Sequence, residues 1–297
     1  MRAYKFRLYP SKTQQREMQT HLWFSKNLWN EMLELTKNMY DNFHKFPTRN
    51  TLQLISKDSG LFSQVAQNIG IRLTNSLKAK IRCKKGGKVC GFPRFKSIDR
   101  MKSLHYLQHG FSLNKKKVNI SPFGMVDIEK HREIIGNIKT LTLKREATGK
   151  WFAIFTAEEE PSPARENNGS RVGIDLGLTN FAVLSDGTTI KNPRHLKIYE
   201  ERLAKKQISL SKKTKGSGKR KVAKKKVAIL HEKVKNTRKD FLHKTSHKLV
   251  HSHSFIALED LGSAQMAEQQ YGKHINDAGW SGFANMISYK ADLVTVK

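Results

Sequence analysis

Arg171-Val-Gly-Ile-Asp-Leu-Gly-Leu-Thr179 is an apolar run that carries one carboxylate, Asp175, and breaks at Gly177. Its length and make-up are those of a buried β-strand. Phe255-Ile-Ala-Leu-Glu-Asp-Leu-Gly262 repeats the design, with Glu259 at the end of the apolar stretch. Two carboxylates, each closing a buried strand, suggest a metal site, because hard cations take oxygen ligands and rigid strand ends hold ligands better than loops do. A two-metal phosphodiester site needs such acids around ions roughly 3.5–4 Å apart. The glycines at 173 and 177 leave room for backbone or substrate to approach. An aspartate can also close a strand simply to start a turn, so either strand taken alone leaves both roles open. Asp260 and Asp277 are the nearest other acids. Neither follows an apolar strand, and both are read as poor third ligands.

The charge of the chain gives this pair its context. Of 297 residues, 56 are lysine or arginine and 25 are acidic, for a net charge of +31. Such a field attracts phosphate backbones, and nucleic acid is the leading partner. A membrane partner is disfavoured, since no apolar run approaches the roughly 20 residues that span a bilayer. Cys83 and Cys90 are the only cysteines. They flank Lys-Lys-Gly-Gly-Lys-Val, are read as two loop thiols in a reducing compartment, and are spaced too widely for a zinc knuckle. Met1 to Pro10 alternates rather than forming an apolar block, so it is read as a strand and not a secretion signal, and a cytoplasmic location is expected.

Working outward toward the N-terminus, residues 3–9 alternate apolar with basic as a half-buried strand does, and Ser11 caps a helix that runs to about Tyr40. The helix bears an apolar and aromatic stripe, including Trp23 and Trp29, that fits a core face better than a base-stacking platform. A second helical stretch spans about 51–82, interrupted by Gly60 and Gly70. The segment Gly91-Phe-Pro-Arg-Phe-Lys96 mixes cations and aromatics. Its Phe92 and Phe95 can either stack on bases or enter the core. From Ser103 to Glu159 short alternating runs broken by turn residues predict hairpins of a small antiparallel sheet or barrel. Glu158 to Ser170 is polar and carries prolines, the composition of a linker.

Beyond that linker, Asp186-Gly187 marks a turn between short strands after the Asp175 strand. The stretch 194–236 is strongly basic and predicts two helical runs, 194–210 and 219–234, around Lys-Gly-Ser-Gly, with a further helix at 240–251. A hairpin so rich in lysine either lies along phosphates or stays solvated, and phosphate contact is favoured. His243, His247, His251 and His253 include helical i,i+4 pairs, but no glutamate follows His243 as in a metalloprotease helix, and they are read as surface or phosphate-facing.

Together, Tyr4-Lys-Phe-Arg-Leu-Tyr-Pro-Ser-Lys-Thr-Gln, Gly91-Phe-Pro-Arg-Phe-Lys, Gly173-Ile-Asp-Leu-Gly-Leu, Ile256-Ala-Leu-Glu-Asp-Leu and Asp277-Ala-Gly-Trp-Ser make the chain resemble the OrfB/TnpB family of insertion-sequence proteins, long called transposases and similar to the ancestors of type V CRISPR effectors. The resemblance covers nearly the whole chain. It implies a mixed α+β and α/β architecture in three parts. A wedge-like, oligonucleotide-binding β-barrel (1–10 and 103–160) has a helical recognition lobe inserted at 11–102. A linker follows at 161–170, and then an incomplete RNase H-like (RuvC) domain at 171–297 with a basic helical hairpin at 194–236. It implies a guide RNA made from the transposon end, matching target DNA, and hydrolysis with Mg2+ or Mn2+. Asp175 and Glu259 would be the first and second catalytic and metal-binding carboxylates. Lys5, Arg7, Arg94, Lys96, Lys212, Lys213, Lys219, Arg220, Lys224 and Lys225 are the expected nucleic-acid contacts. The family's zinc ribbon and third carboxylate fall outside these 297 residues, so the reading expects a shortened nuclease with little or no cleavage. The alternatives are a guided binding protein that does not cut, or a decaying remnant. Strand transfer in such elements is attributed to a separate tyrosine enzyme, so direct transposition by this chain is not expected.

Overall fold

The structure is a computed structural model and describes residues 1–87, 90–159, 169–259, 261, 262, 265, 266, 268 and 272–292. The chain divides into two units, Met1–Glu160 and Pro161–Lys297. Most of the expected linker, residues 161–168, and the candidate acid Asp260 lie outside the described residues.

The first unit is built on strand β1 (Arg2–Tyr9), whose Tyr4, Phe6 and Leu8 point into the core while Lys5 faces outward and Arg7 is partly exposed. It pairs with β7 (Trp151–Glu158) on one side and β5 (Gly124–Glu129) on the other, antiparallel in both cases. With β2 (Ser103–Tyr106), β3 (Phe111–Leu113), β4 (Lys117–Ile120) and β6 (Asn137–Arg145) the seven strands run in the order β2-β6-β7-β1-β5-β4-β3. The sheet curls until its edges nearly meet, which shows at Tyr106 on one edge strand and Phe111 on the other: their rings sit 6.4 Å apart, edge to face. Such near-closure hides the unpaired edge groups an open sheet would expose. Gly136, at φ +83°, ends the approach to β6; a Cβ there would lie 2.1 Å from the Glu158 carbonyl.

Between β1 and β2 the chain leaves the sheet and forms three helices. Helix α1 (Lys12–Phe43) opens with a capping box between Ser11 and Gln14, and the Gln14 amide also donates to the Phe123 and Met125 carbonyls, tying the helix start to the barrel. The stretch expected as one interrupted helix is two, α2 (Arg49–Ser56) and α3 (Ser63–Lys85), because Gly60 turns the chain at φ +68°. Gly70 does not break α3. It lets Leu52 and Met32 pack against the helix backbone, where a Cβ would meet them at 3.7 and 3.8 Å. Met18, Leu28, Met32, Leu33, Leu52, Ile69 and Leu73 share one continuous core with the barrel residues.

A further sequence expectation is corrected in this unit, and one open alternative is resolved. Cys83 and Cys90 are not loop thiols but form a disulfide. Helix α3 carries Cys83 in its last turn, and Gly86 and Gly87 then reverse the chain, so that the two Cα atoms come within 6.1 Å, inside the span a disulfide requires. Phe92 enters the core beside Tyr40 and Phe46, whereas Phe95 stays exposed under the Lys37 ammonium.

The second unit holds a four-stranded sheet in the order β10-β9-β8-β11. Strands β8 (Ser170–Leu176), β9 (Asn180–Leu184) and β10 (Thr189–Lys191) form an antiparallel meander, and β11 (His253–Leu258) joins β8 in parallel. A parallel neighbour needs a long crossover. Here it is a helical hairpin of α4 (His195–Ser211) and α5 (Gly218–Ser252). The two helices expected at 219–234 and 240–251 are one continuous helix, a further correction of the sequence pattern. Later in the chain come the short helices α6 (Gly272–Ala278) and α7 (Trp280–Ala291). Phe181 of β9 meets Phe241 of α5 and Phe283 of α7 edge to face at 5.0 and 4.9 Å, which fixes the covered side of the sheet. No helix among the described residues is long and apolar enough to cross a membrane.

Candidate functional site

The carboxylate pair is set by strand register. On β8 the side chains of Val172, Ile174 and Leu176 face the core, so Arg171, Gly173 and Asp175 face the other way. On β11 Ile256 and Leu258 pack on the same core, leaving Phe255, Ala257 and then Glu259 on the outer side. The parallel register pairs Ala257 with Gly173 and Leu258 with Ile174, so Asp175 and Glu259 each come directly after the last paired position of their strands. Neighbouring strands lie about 4.8 Å apart, a separation that two carboxylates can bridge through one ion at ligand distances near 2.1 Å. Both residues are exposed, and neither side chain has a hydrogen-bond or ion-pair partner among the described residues. Gly177, just past Asp175, closes the turn to β9; a Cβ there would lie 3.0 Å from the Asn180 carbonyl. Gly173 has only ordinary contacts around it, so the close approach expected at both glycines is required at Gly177 alone.

The donor set is chemically suited to a hard divalent cation, but it is a pair. Among the described residues no group of three or more histidine, cysteine or acidic side chains could hold a metal. Asp277 is committed elsewhere: it accepts from the Arg238 guanidinium and from the Leu196 N–H, both at 2.9 Å. It thereby supplies the cap that α4 lacks, since Arg194 at the helix start gives no side-chain hydrogen bond. The His247 and His251 rings lie 3.9 Å apart on α5, tilted by 49°, without further metal ligands among the described residues. Burial, then His251 and Lys290, holds the His247 pKa below the usual histidine value.

The ten expected nucleic-acid contacts divide between the two units, four in the first and six in the second. Lys5 pairs with Glu146 at 3.0 Å and lies over the Phe152 ring, and Arg7 donates to the Trp151 carbonyl, so both are already engaged by the barrel wall. Arg220 donates to the Leu210 and Lys213 carbonyls and shapes the α4–α5 turn. Lys212, Lys213, Lys219, Lys224 and Lys225 project into solvent on the hairpin. Arg94 and Lys96 line a cavity of about 470 Å³ in the first unit together with Arg72, Arg100, Trp29 and Phe95. Sequence reasoning missed Arg72 and Arg100, because their partners in the cavity come from separate segments. The available signal was the polar Asn30 beside Trp29, half-buried at the edge of the apolar face of α1. Its side chain holds Lys96 by both backbone groups, accepting from the N–H at 2.8 Å and donating to the carbonyl at 3.0 Å, while the Trp29 indole donates to the Arg94 carbonyl. Burial, and then the Arg72 charge, pushes the Lys96 pKa down to about 8. Burial also lowers the Arg72 pKa, and burial followed by the Arg72 charge lowers that of His105.

Comparison with known proteins gives these features a setting. A family model described as "Probable transposase" matches residues 154–270. Another, described as "Helix-turn-helix domain", matches residues 1–45, which here are β1 and the single helix α1. A "Putative RNA-guided DNA endonuclease" of Streptomyces pristinaespiralis is 29% identical over 97% of this chain and 74% of its own length. A "Putative RNA-guided DNA endonuclease InsQ" of Escherichia coli (strain K12) is 26% identical over 98% of this chain and 77% of its own length. Among solved structures, a chain of a Cas12f1-sgRNA-target DNA complex superposes with a TM-score of 0.56 at 12% identity, covering 97% of this chain and 73% of that one, a likeness of fold.

Proposed function

We propose that the chain, which is similar to the OrfB/TnpB-type insertion-sequence proteins, is an RNA-guided DNA endonuclease that hydrolyses phosphodiester bonds at Asp175 and Glu259. The register of β8 and β11 supports the proposal: the two exposed carboxylates each follow the last paired position of adjacent parallel strands, in a chain of net charge +31. The same reading assigns the first unit to a wedge-like barrel with an inserted recognition lobe. It assigns the second unit to an RNase H-like (RuvC) core, for which a three-strand meander with a parallel fourth strand is supporting topology. Guide RNA, made from the end of the element, and target DNA are the proposed partners.

Asp175 and Glu259 would hold a divalent ion, Mg2+ or Mn2+. When bound, such an ion activates water and stabilises the leaving oxygen. The chain's own residues supply the rest. Two like charges on neighbouring strands repel each other, which favours uptake of a cation between them. The exposed lysines of the α4–α5 hairpin and the arginines of the cavity neutralise phosphates and hold the backbone in place. Sequence choice is left to base pairing with the guide.

The test is a paired binding and cleavage assay with the purified protein, its element-end RNA and a matching duplex. Where the wild-type protein cuts, Asp175→Ala should reduce that cleavage by at least about a hundredfold, since loss of a ligand removes several kcal/mol of transition-state stabilisation, while target affinity stays within about twofold. Cleavage that survives in both Asp175→Ala and Glu259→Gln would sink the assignment. A wild-type protein that binds guided target but never cuts it would instead establish the guided binding protein.

A further inference from the structure

The cavity at Trp29 has chemistry beyond charge. Four cationic side chains, Arg72, Arg94, Lys96 and Arg100, line about 470 Å³, and no carboxylate is among the described residues that do so. The Lys96 main chain is fixed on both sides by Asn30, and its ammonium sits 3.3 Å from the centroid of the Trp29 ring. The cavity thus sets an amine among arginines, whose guanidinium groups can donate to phosphate in a forked geometry.

We propose that Lys96 is an acylation site that reacts with small acyl phosphates, the mixed anhydrides of a carboxylic and a phosphoric acid. The arginines hold the phosphate, and the neutral Lys96 amine attacks the acyl carbon. A bond forms between Nζ and that carbon, the bond from carbon to the phosphate oxygen breaks, and phosphate leaves with the electron pair. The proton shed by nitrogen passes to phosphate or water, so the products are an uncharged amide and inorganic phosphate. Because burial and Arg72 hold the Lys96 pKa near 8, far more of it is neutral at neutral pH than of an ordinary lysine. Acylation removes one positive charge and fills part of the cavity, and so would weaken any phosphate contact made there.

The acylation itself does not depend on the nuclease reading and is measured without nucleic acid. The protein is incubated with acetyl phosphate, and modified peptides are quantified over time by mass spectrometry. Lys96 should be labelled at least about ten times faster than the exposed Lys212 and Lys219. Inorganic phosphate should compete, and Arg100→Gln should slow labelling several-fold. An uncharged acyl ester should show less preference for Lys96, because it has no group for the arginines to hold. The proposal is overturned if Lys96 reacts at the rate of Lys212 and Lys219, or if Arg100→Gln and added phosphate leave its rate unchanged in protein whose circular dichroism matches wild type.

Discussion

A single side chain shows how function and stability pull apart in this protein. Lys96 is charged, partly buried and close to Arg72, and its pKa falls to about 8 from the usual lysine value. A base whose folded-state pKa is lowered binds its proton less well folded than unfolded. Its charge therefore works against folding at all pH values below about 8, and this cost fades as pH rises from there toward the unfolded value near 10.5. Lys96→Met, which keeps length and apolar bulk, should accordingly raise the melting temperature by a few degrees at pH 7 and have little effect near pH 10.5. Thermal unfolding across that pH range measures it; a variant less stable than wild type at pH 7 would show that the contact with Trp29 outweighs the desolvation. Neither this lysine's environment nor the cavity was legible in the sequence. Arg94 and Lys96 stood out as cations between aromatics, but Arg72 comes from α3 and the clamp from Trp29 and Asn30 of α1, so only the packed fold defines the group.

At the scale of elements, strands and helix starts were readable and helix lengths were not. The alternation of Tyr4, Phe6 and Leu8 marked β1, and Ser11 with Gln14 marked the start of α1, because burial and capping leave their signatures in adjacent residues. The Asp175 and Glu259 strands were visible for the same reason; their parallel pairing was not, because register between distant segments is decided by the core they share. Helix α5 was split in the sequence reading because its middle, from Lys233 to Lys239, offers only Val234 to the core. Its continuity makes a clear prediction. Asn236→Pro removes an internal hydrogen bond and clashes with the preceding turn, and should cost about 3 kcal/mol or more, whereas Asn236→Ala should be neutral or mildly stabilising. Chemical denaturation followed by circular dichroism tests it; a proline variant as stable as the alanine one would indicate two helices meeting there.

Over the whole molecule, net charge governs behaviour that no single contact explains. With +31 on the chain, binding to unrelated nucleic acid should be strong at low salt and fall steeply, by about a thousandfold or more between roughly 50 and 200 mM salt if six or more phosphates are contacted. Changing Lys212, Lys213, Lys219, Lys224 and Lys225 to Gln should flatten the plot of log affinity against log salt by about one unit for every phosphate that is no longer neutralised. An unchanged slope would move the phosphate path off the hairpin. The fold adds a constraint in time. Because β11 pairs with β8 only after the chain has passed through both α4 and α5, the two carboxylates cannot face each other on a ribosome-bound chain that ends within the hairpin. Such a nascent protein already carries much of its positive charge while its carboxylate pair is still unassembled. It can therefore take hold of RNA near the place of its own synthesis before that pair exists.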